Sequence, residues 1–325
     1  MDHVAATTQA VVIPEPGKVV LQQVALRTPG PTDVVIATAY TSISAGTERM
    51  LLAGQMPHPM LQLPVVPGYE TVGRVTAVGA EVDPAWLGRW VYVGGAHCYA
   101  GINPAWGGQA ATLFTDVKRV TPLDDVPPQQ GVLLALAATA LHGVRQLQAH
   151  VGQRVLVIGQ GPVGQLAARL LMADGVEVIV VDRAAVRLAR SVAHQIVDVT
   201  VTPLAEAVAQ PVHAIVEASG SMAALGDALK LLADKGTILL LGYYGKLELP
   251  YMPLFLKEAK LLTAKEWAAG DLAACRDAIA AGKLEVASLL THALPIARVA
   301  EGYETALNDP ACLKLVFDWS ANGSA

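Results

Sequence analysis

The sequence predicts an α/β fold in which a doubly wound parallel sheet accompanies a second, β-rich domain. A chain of 325 residues exceeds the size at which a single hydrophobic core stops growing, so we expect two domains. Short β-type runs divided by Gly and Pro turns fill the first part of the chain, and apolar strands alternate with helical patterns from Arg154 onward. We therefore assign residues 1–136 and 267–325 to the β-rich domain and residues 137–266 to the doubly wound domain.

The individual elements follow from the spacing of apolar residues and from the turn residues between them. In the β-rich domain the strand-like runs cover residues 34–37, 72–78 and 90–93. In the doubly wound domain they cover residues 154–158, 176–181, 212–216, 237–241 and 261–264, with helices after residue 162 and over 222–232. A helix over 272–281 and a last strand over 313–317 then return the chain to the first domain.

The composition excludes several classes of protein. With 53% hydrophobic and 16% charged residues the chain is not disordered, yet no apolar run approaches the roughly 18 to 20 residues that span a bilayer. A net charge of -5 without a basic stripe argues against a nucleic-acid partner. The N-terminus shows no export signal, and three widely spaced cysteines predict neither a disulfide framework nor a metal knuckle. We expect a cytoplasmic protein with reduced thiols.

A glycine-rich turn joins the first strand of the doubly wound domain to its first helix. This turn, Gly159-Gln160-Gly161-Pro162-Val163-Gly164, has the GxGxxG pattern of dinucleotide-binding turns. In that pattern the first glycine permits a tight turn, the second lets the backbone approach a pyrophosphate, and the third lets the helix pack against the strand. The strand and the helix on either side favour a Rossmann-type cofactor site over a purely structural turn.

The choice of dinucleotide depends on the residue that ends the next strand. Asp182 lies 18 residues after Gly164, near the distance expected for the acid that binds the ribose 2′-hydroxyl. Its carboxylate would repel a 2′-phosphate, although Arg183 beside it could partly offset that repulsion. We expect NAD rather than NADP as the cofactor.

Two further turns follow buried strands of the same domain. Ser219-Gly220 and Gly242-Tyr243 stand at strand ends, where open α/β sheets bind their ligands. The small residues there would admit a flat nicotinamide, so we predict that these turns complete the cofactor site. The alternative is that the Tyr243 side chain packs in the core.

Over essentially its whole length the chain resembles the medium-chain dehydrogenase/reductase superfamily. Ala45-Gly46-Thr47-Glu48 stands in place of the superfamily's Cys-Gly-Thr-Asp motif, and Gly68-Tyr69-Glu70 stands in place of its Gly-His-Glu motif. The resemblance implies a GroES-like catalytic domain beside the Rossmann-type domain. It also implies hydride transfer with a nicotinamide and a homo-oligomer, expected as a dimer.

The zinc ligands of that superfamily are missing from the sequence. Its catalytic zinc needs a thiolate and an imidazole at these two motifs, but Ala45 offers no donor atom and Tyr69 is a poor ligand. The third ligand position falls near Ala135, and the cysteine-rich loop of a structural zinc is absent. We predict no metal, so other groups must activate the substrate.

A closer resemblance is to the bacteriochlorophyllide a dehydrogenases of bacteriochlorophyll biosynthesis. It is carried by VPGYE (66–70), LALAATA (134–140), FLKEA (255–259), EW (266–267), YETA (303–306) and DPACLK (309–314). The resemblance implies that the 3-(1-hydroxyethyl) group of a chlorin or bacteriochlorin, a tetrapyrrole, is oxidised to acetyl with NAD. A cytoplasmic enzyme of this kind could associate peripherally with the photosynthetic membrane.

Oxidation of an alcohol requires a group that takes the hydroxyl proton while a hydride leaves for the cofactor. Thr47 matches the proton-relay hydroxyl of the superfamily, with a turn-stabilising threonine as the alternative. Tyr69 stands where a ligand histidine would be, so its phenol could hydrogen-bond the substrate oxygen. Space-filling by the ring is the alternative for Tyr69.

Three more side chains are candidates for the base. Glu48 and Glu70 are nearby carboxylates that could accept a proton if a dry pocket raised their pKa, although a structural role in the site loops is the commoner use. His142 lies three residues after Thr139, whose superfamily counterpart contacts the nicotinamide, and an imidazole titrates near neutral pH. A core histidine is the alternative for His142.

Two other functions stay open at this stage. A zinc-free quinone or enoyl reductase uses the same domains and prefers NADPH. The Asp182 carboxylate disfavours NADPH binding and therefore argues against this function. A non-catalytic dinucleotide-binding protein would keep an identical glycine turn. The long family-specific strings favour the dehydrogenase over both.

Overall fold

The computed structural model describes residues 6–57 and 62–320. The chain divides into two compact units, unit 1 with residues 1–135 and 290–325 and unit 2 with residues 136–289. The structure differs from the sequence prediction at the residue where the chain re-enters unit 1, which is residue 290 and not residue 267. The reason is that residues 267–289 pack within unit 2, where Arg145 forms an ion pair with Asp271 and Arg169 Nη2 lies 3.0 Å from Ser288 Oγ.

The strands lie in the following positions. In chain order they are β1 (Thr7–Glu15), β2 (Lys18–Leu26), β3 (Asp33–Ser42), β4 (Val65–Val66), β5 (Thr71–Val78), β6 (Trp90–Val93), β7 (Tyr99–Ala100), β8 (Asn103–Pro104), β9 (Thr112–Asp116), β10 (Val120–Pro122), β11 (Arg154–Ile158), β12 (Glu177–Asp182), β13 (Gln195–Asp198), β14 (Val212–Glu217), β15 (Leu232–Leu240), β16 (Lys260–Thr263), β17 (Leu290–Pro295) and β18 (Lys314–Asp318).

The α-helices are fewer and most belong to unit 2. They are α1 (Ala45–Leu52), α2 (Leu134–Leu147), α3 (Pro162–Ala173), α4 (Ala185–Leu188), α5 (Leu204–Ala207), α6 (Met222–Ala228), α7 (Tyr251–Leu256), α8 (Asp271–Ala280) and α9 (Val299–Asn308). Among the helices of residues 6–57 and 62–320, none combines the length and the hydropathy that crossing a membrane requires.

Unit 1 is built from two sheets around an apolar core. One sheet has the strand order β7-β2-β1-β4-β8, and the other has the order β10-β6-β5-β3-β18-β17 with β9 also paired to β3. Alternate residues of these strands, such as Val34, Ile36 and Val91, are fully buried in the core. The C-terminal strand β18 pairs antiparallel with β3, so that Val316 lies opposite Ser42. The segment that leads from β3 into α1 is therefore fixed by the end of the chain.

Unit 2 contains a parallel sheet with the strand order β13-β12-β11-β14-β15-β16. Its central strands are apolar on both faces, as parallel strands covered by helices must be. The predicted strands of this domain are present, and β13 is an addition that sequence reasoning missed because its two first residues, Gln195 and Ile196, are exposed. The predicted helix over 222–232 ends earlier, at Ala228, and Leu232 already begins β15.

Candidate active site

The glycine turn of unit 2 combines a crowded backbone at two of its glycines with open space at the third. Gly159 has φ +89°, and a Cβ there would lie 2.7 Å from the backbone nitrogen of Ser219. A Cβ at Gly164 would lie 1.9 Å from the carbonyl oxygen of Gly159, so helix α3 packs directly against the turn. At Gly161, the N-cap of α3, no heavy atom of the described residues lies within 4 Å of an added Cβ. The turn therefore leaves open space at the helix N-terminus, where anions bind.

Asp182 ends β12 and joins the glycine turn to the loop that follows the strand. Its carboxylate accepts hydrogen bonds from the backbone nitrogens of Gln160 at 2.6 Å, Arg183 at 2.7 Å and Ala184 at 2.9 Å. The side chain of Arg183 is exposed beside it. Because a carboxylate has about four acceptor sites, three backbone donors leave room for a ribose hydroxyl.

Glu217, at the end of β14, is a residue that sequence reasoning missed. Its buried carboxylate accepts hydrogen bonds from the backbone nitrogens of Ser219 at 2.8 Å and Gly220 at 3.1 Å, and from the hydroxyls of Ser219 and Tyr244. Its carbonyl oxygen accepts a hydrogen bond from the backbone nitrogen of Gly242 at 3.0 Å. The structure thus brings together the predicted turns at Ser219-Gly220 and Gly242 through one acid. The sequence signal that could have identified Glu217 is an acidic residue between an apolar strand and a Ser-Gly turn.

Tyr243 lies beside these turns with its side chain outside the core. Tyr243 is 62% exposed. Its backbone lies close to the Ser219-Gly220 turn, because a Cβ added to Gly220 would lie 3.1 Å from the carbonyl oxygen of Tyr243. The alternative that Tyr243 belongs to the core is therefore excluded, and the residue remains a candidate for the cofactor site.

Helix α2 carries the two predicted site residues Thr139 and His142. Nδ1 of His142 lies 3.6 Å from Oδ2 of Asp271, and Nε2 lies 3.1 Å from Nε2 of Gln146. Asp271 is buried and also accepts a hydrogen bond from the backbone nitrogen of Ala268 at 2.8 Å. These contacts join α2 to α8 within unit 2, and they favour the structural alternative for His142 over a catalytic base. Thr139 is half-buried three residues earlier on the same helix.

In unit 1, three hydroxyl groups meet where the two dehydrogenase-like motifs fold together. Oη of Tyr69 lies 2.5 Å from Oγ of Ser44 and 3.3 Å from Oγ1 of Thr47. Thr47 stands on the first turn of α1 and Ser44 caps that helix, whereas Tyr69 precedes β5. We call Ser44, Thr47 and Tyr69 the hydroxyl cluster. Thr47 and Tyr69 were predicted; Ser44 was missed because it lies one residue before the recognised motif.

The Tyr69 phenol keeps its proton in this environment. Burial raises its pKa well above the usual range, and the nearby Glu70 carboxylate acts in the same direction. Hydrogen bonds from Ser44 and Thr47 oppose the increase without reversing it. At neutral pH Tyr69 is therefore a neutral hydroxyl that can donate and accept hydrogen bonds, and not a phenolate base.

Glu48 lies behind the hydroxyl cluster and is fully enclosed by unit 1. Its Oε1 accepts a hydrogen bond from the backbone nitrogen of Ser44 at 3.0 Å. Its Oε2 accepts hydrogen bonds from Nε2 of Gln109 at 2.9 Å and from the hydroxyl of Tyr303. Burial raises the pKa of Glu48 to about 7, against the hydrogen bonds of Tyr303 and Ser44, which lower it. Glu48 can therefore exchange a proton near neutral pH, but it is enclosed by protein groups.

Glu70 forms a buried ion pair. Nζ of Lys314, on β18, lies 2.7 Å from Oε1 and 2.5 Å from Oε2 of Glu70, and both side chains are at most 1% exposed. The same ammonium group donates a hydrogen bond to the carbonyl oxygen of Ile43 at 3.0 Å. This arrangement favours the structural role that the sequence left open for Glu70, because an ion-paired, enclosed carboxylate is not placed to take a proton from a ligand.

The residues at the superfamily's zinc positions do not fit a zinc ion. Ala45 begins α1 without a donor atom, the Tyr69 hydroxyl is engaged by Ser44 and Thr47, and Ala135 is a fully buried alanine. Among the described residues no group of three or more His, Cys, Asp and Glu side chains could hold a metal ion. Zinc sites need such N, S or O donors in a tetrahedral set.

Comparison with known proteins identifies the family. Two family models match, an alcohol dehydrogenase GroES-like domain over residues 30–125 and a zinc-binding dehydrogenase over residues 162–273. A protein of Cereibacter sphaeroides named 2-desacetyl-2-hydroxyethyl bacteriochlorophyllide A dehydrogenase is 36% identical over 323 residues, which cover 97% of this chain and 99% of that protein. The chain belongs to the bacteriochlorophyllide dehydrogenase family. The family member of the same name from Rhodobacter capsulatus is also 36% identical, over 96% of this chain and 98% of its own length.

Solved structures agree on the fold of this family member. A structure described as a short-chain alcohol dehydrogenase from Escherichia coli CFT073, in complex with NADH, aligns with a TM-score of 0.86 at 23% identity and covers 97% of this chain and 100% of its own. A zinc-binding dehydrogenase from Sinorhizobium meliloti 1021, bound to NADP, aligns with a TM-score of 0.83 at 22% identity and the same coverage. The predictions of the family, of the fold class and of a dehydrogenase are confirmed.

Proposed function

We propose that this protein oxidises the hydroxyethyl group of a bacteriochlorophyllide to an acetyl group, with NAD as the acceptor and without zinc. The observation that carries the proposal is the hydroxyl cluster, which stands on the two motifs where the superfamily's zinc ligands would lie. Relatives named for the hydroxyethyl bacteriochlorophyllide, similar over nearly the whole chain, support the choice of substrate.

The proposal assigns cofactor binding to unit 2. NAD supplies a nicotinamide ring that accepts a hydride. The open N-terminus of α3 at Gly161 would hold the pyrophosphate, and Asp182 would bind the ribose hydroxyls. The turns at Ser219 and Gly242, held by Glu217, would border the nicotinamide. NAD is favoured over NADP because the Asp182 carboxylate would repel a 2′-phosphate.

The proposal assigns the proton to unit 1. Conversion of the carbinol to a ketone releases one hydride from carbon and one proton from oxygen. The neutral Tyr69 hydroxyl would accept the substrate's proton while donating its own to Thr47. Thr47 is half-buried, so its hydroxyl would pass a proton to solvent water as the carbonyl forms, and water is the final proton acceptor. The product carbonyl is conjugated with the macrocycle, which lowers the energy of the developing C=O bond. This conjugation offers a physical reason why the reaction proceeds without a Lewis acid.

The direct experiment is to incubate the purified protein with a hydroxyethyl bacteriochlorophyllide and NAD, and separately with NADP. The pigment spectrum follows the conversion, and mass spectrometry shows whether two hydrogens are lost. Conversion with NAD at a higher kcat/KM than with NADP is the expected result. Dinucleotide binding without conversion of the pigment by either cofactor would reject the proposal.

The alternatives predict other outcomes of the same assay. A quinone or enoyl reductase would consume NADPH when a conjugated substrate is offered and leave the hydroxyethyl pigment unchanged. A non-catalytic protein would bind the dinucleotide and turn over neither substrate. The dimer remains a prediction from the superfamily, which sedimentation of the purified protein would test.

A further inference from the structure

Trp106 adjoins the hydroxyl cluster and carries an unusual backbone conformation. The centroid of its ring lies 5.3 Å from that of Tyr69, with an interplanar angle of 62°. Its φ angle is +69°, in the left-handed region that residues with a Cβ rarely adopt. Such conformations cost free energy, and they concentrate at functional sites where neighbouring structure imposes them.

The backbone on both sides of Trp106 imposes this conformation. The carbonyl oxygen of Trp106 accepts a hydrogen bond from the backbone nitrogen of Ala96 at 2.7 Å. The backbone nitrogens of Ala105 and Gly107 both donate to the carbonyl oxygen of Val66, at 2.8 and 3.1 Å. Three backbone hydrogen bonds therefore hold the segment that carries the indole beside Tyr69.

Trp106 is not a core residue. It packs against a small apolar cluster that includes Leu51, Val65 and Ala105, but the residue as a whole is only half-buried. Trp106 thus contacts Tyr69 while part of the residue stays accessible to solvent.

The chemistry of the proposed substrate gives this surface an occupant. In a hydroxyethyl bacteriochlorophyllide the carbinol oxygen is two covalent bonds from the macrocycle. When that oxygen contacts the Tyr69 hydroxyl, the rim of the flat, conjugated ring must lie against the neighbours of Tyr69. Flat aromatic systems pack favourably on the face or edge of an indole. We propose that Trp106 is a specificity-determining residue that contacts the tetrapyrrole macrocycle; this inference rests on the proposed function.

The test compares Trp106→Leu with Trp106→Phe in the full-length protein. Both variants keep a Cβ at the same backbone position, so the conformational cost is shared and the loss of the aromatic face is isolated. We expect Trp106→Leu to raise both the Kd for the pigment and its KM by about 5- to 10-fold, and Trp106→Phe to stay within about threefold of wild type. The Kd for NAD should not change in either variant, because the cofactor turns lie in unit 2.

A second readout separates contact with the substrate from a role in positioning Tyr69. Loss of a macrocycle contact raises KM and leaves kcat and its pH profile unchanged, whereas a displaced Tyr69 lowers kcat. The matched control is Trp90→Leu, which removes another half-buried indole of unit 1, one that packs under the Arg74 guanidinium. We expect the control to bind the pigment as the wild type does.

Two results would overturn the inference: a Trp106→Leu variant that binds the pigment with wild-type affinity, or one whose defect lies in kcat alone. Because pigment binding is measured by titration without turnover, this test is separate from that of the proposed function. A wild-type protein that binds the pigment but does not oxidise it rejects the proposed reaction, and the Kd values of the variants still decide on Trp106. A wild-type protein that does not bind the pigment rejects both.

Discussion

Each unit buries a carboxylate behind its candidate functional residues, and the two carboxylates are held in different ways. Glu217 in unit 2 accepts hydrogen bonds from two backbone nitrogens and from the hydroxyls of Ser219 and Tyr244. Glu48 in unit 1 accepts hydrogen bonds from one backbone nitrogen, one amide and one phenol, and burial raises its pKa to about 7.

The difference follows from the number of donors and the neighbouring charge. A carboxylate offers about four acceptor sites, and four donors surround that of Glu217. Glu48 has fewer donors, and the negative charge of Glu70 disfavours its ionisation further. Unit 2 therefore uses the Glu217 carboxylate to fix two loops, whereas burial in unit 1 raises the pKa of the Glu48 carboxyl group to about 7.

The largest effect is expected from Glu217→Ala. The substitution leaves the donors of two loops without an acceptor in a buried place, and each unsatisfied donor costs about 1 to 3 kcal/mol. We expect the free energy of unfolding, measured in urea, to fall by more than about 3 kcal/mol, with loss of dinucleotide binding. The exposed Glu206 of the same unit offers the control Glu206→Ala, which should change stability by less than about 0.5 kcal/mol. Equal stability of the two variants would contradict the role of Glu217 in holding the two loops.

Glu48→Gln tests the other carboxylate through pH. The pKa of Glu48 is about 7 in the folded protein and 4.5 ordinarily, so the folded state binds the proton more tightly. We therefore expect the wild type to lose stability as pH rises from about 4.5 to 7, by about 3 kcal/mol in all. Glu48→Gln cannot ionise, and its unfolding free energy should lack this decrease.

Urea unfolding at pH 5 and at pH 8 measures that difference. The control is Glu81→Gln, which changes an exposed acid of the same unit and should retain the wild-type pH dependence. If Glu48→Gln and the wild type lose the same stability between the two pH values, burial does not raise the pKa of Glu48 and this part of the comparison fails.

Tyr69→Phe removes the central hydroxyl of the cluster. Positioned proton transfer contributes about 10² to 10⁴ in rate, so we expect kcat for the hydroxyethyl pigment to fall by at least about 100-fold. The Kd for NAD should stay the same, since Tyr69 lies in unit 1. Tyr40→Phe, on β3 of that unit, is the matched control and should keep wild-type turnover. A Tyr69→Phe variant with wild-type kcat would remove Tyr69 from the mechanism.

Ser44→Ala should have a smaller effect that depends on Tyr69. Loss of the 2.5 Å contact between the two hydroxyls is expected to lower kcat by about tenfold, equal to about 1.4 kcal/mol. In the Tyr69→Phe background the same substitution should cost nothing further, because residues that act as one unit are not additive. Additive losses in the double variant would show that Ser44 acts independently. The control is Ser42→Ala, which removes a hydroxyl that donates a hydrogen bond to the carbonyl oxygen of Leu315.

The smallest effect is expected from metal removal. Since the residues at the superfamily's zinc positions do not fit zinc, treatment with a chelator should change turnover by less than about twofold. Elemental analysis of the purified protein provides the second measurement. Stoichiometric zinc that is lost together with activity would contradict the zinc-free proposal.

The candidate cofactor residues of unit 2 could be predicted because they lie close together in the sequence. The three glycines of the turn act within six positions, and Asp182 follows at a fixed spacing set by one helix and one strand. Glu217 is an intermediate case: its place at a strand end was visible, but its donors come partly from Tyr244, 27 residues away.

The candidate residues of unit 1 depend on contacts that sequence spacing does not encode. Tyr303 reaches Glu48 from 255 residues away, and Lys314 reaches Glu70 from 244 residues away. The raised pKa of Glu48 and the ion pair of Glu70 follow from those contacts, so neither could be derived from the motifs alone. Long-range packing also explains why unit 2 extends to residue 289, although the sequence predicted that it ends at residue 266.

The pairing of β18 with β3 also sets an order of events during synthesis. Unit 2 is continuous in sequence, so it can acquire its core as soon as residue 289 has left the ribosome. The first 135 residues must wait, with the edge of β3 uncovered and Glu70 without its ammonium partner, until the last strand emerges. Contacts across such separations slow folding because a long loop must close first. The nascent chain can therefore fold unit 2 before unit 1 has its last strand and the Glu70–Lys314 ion pair.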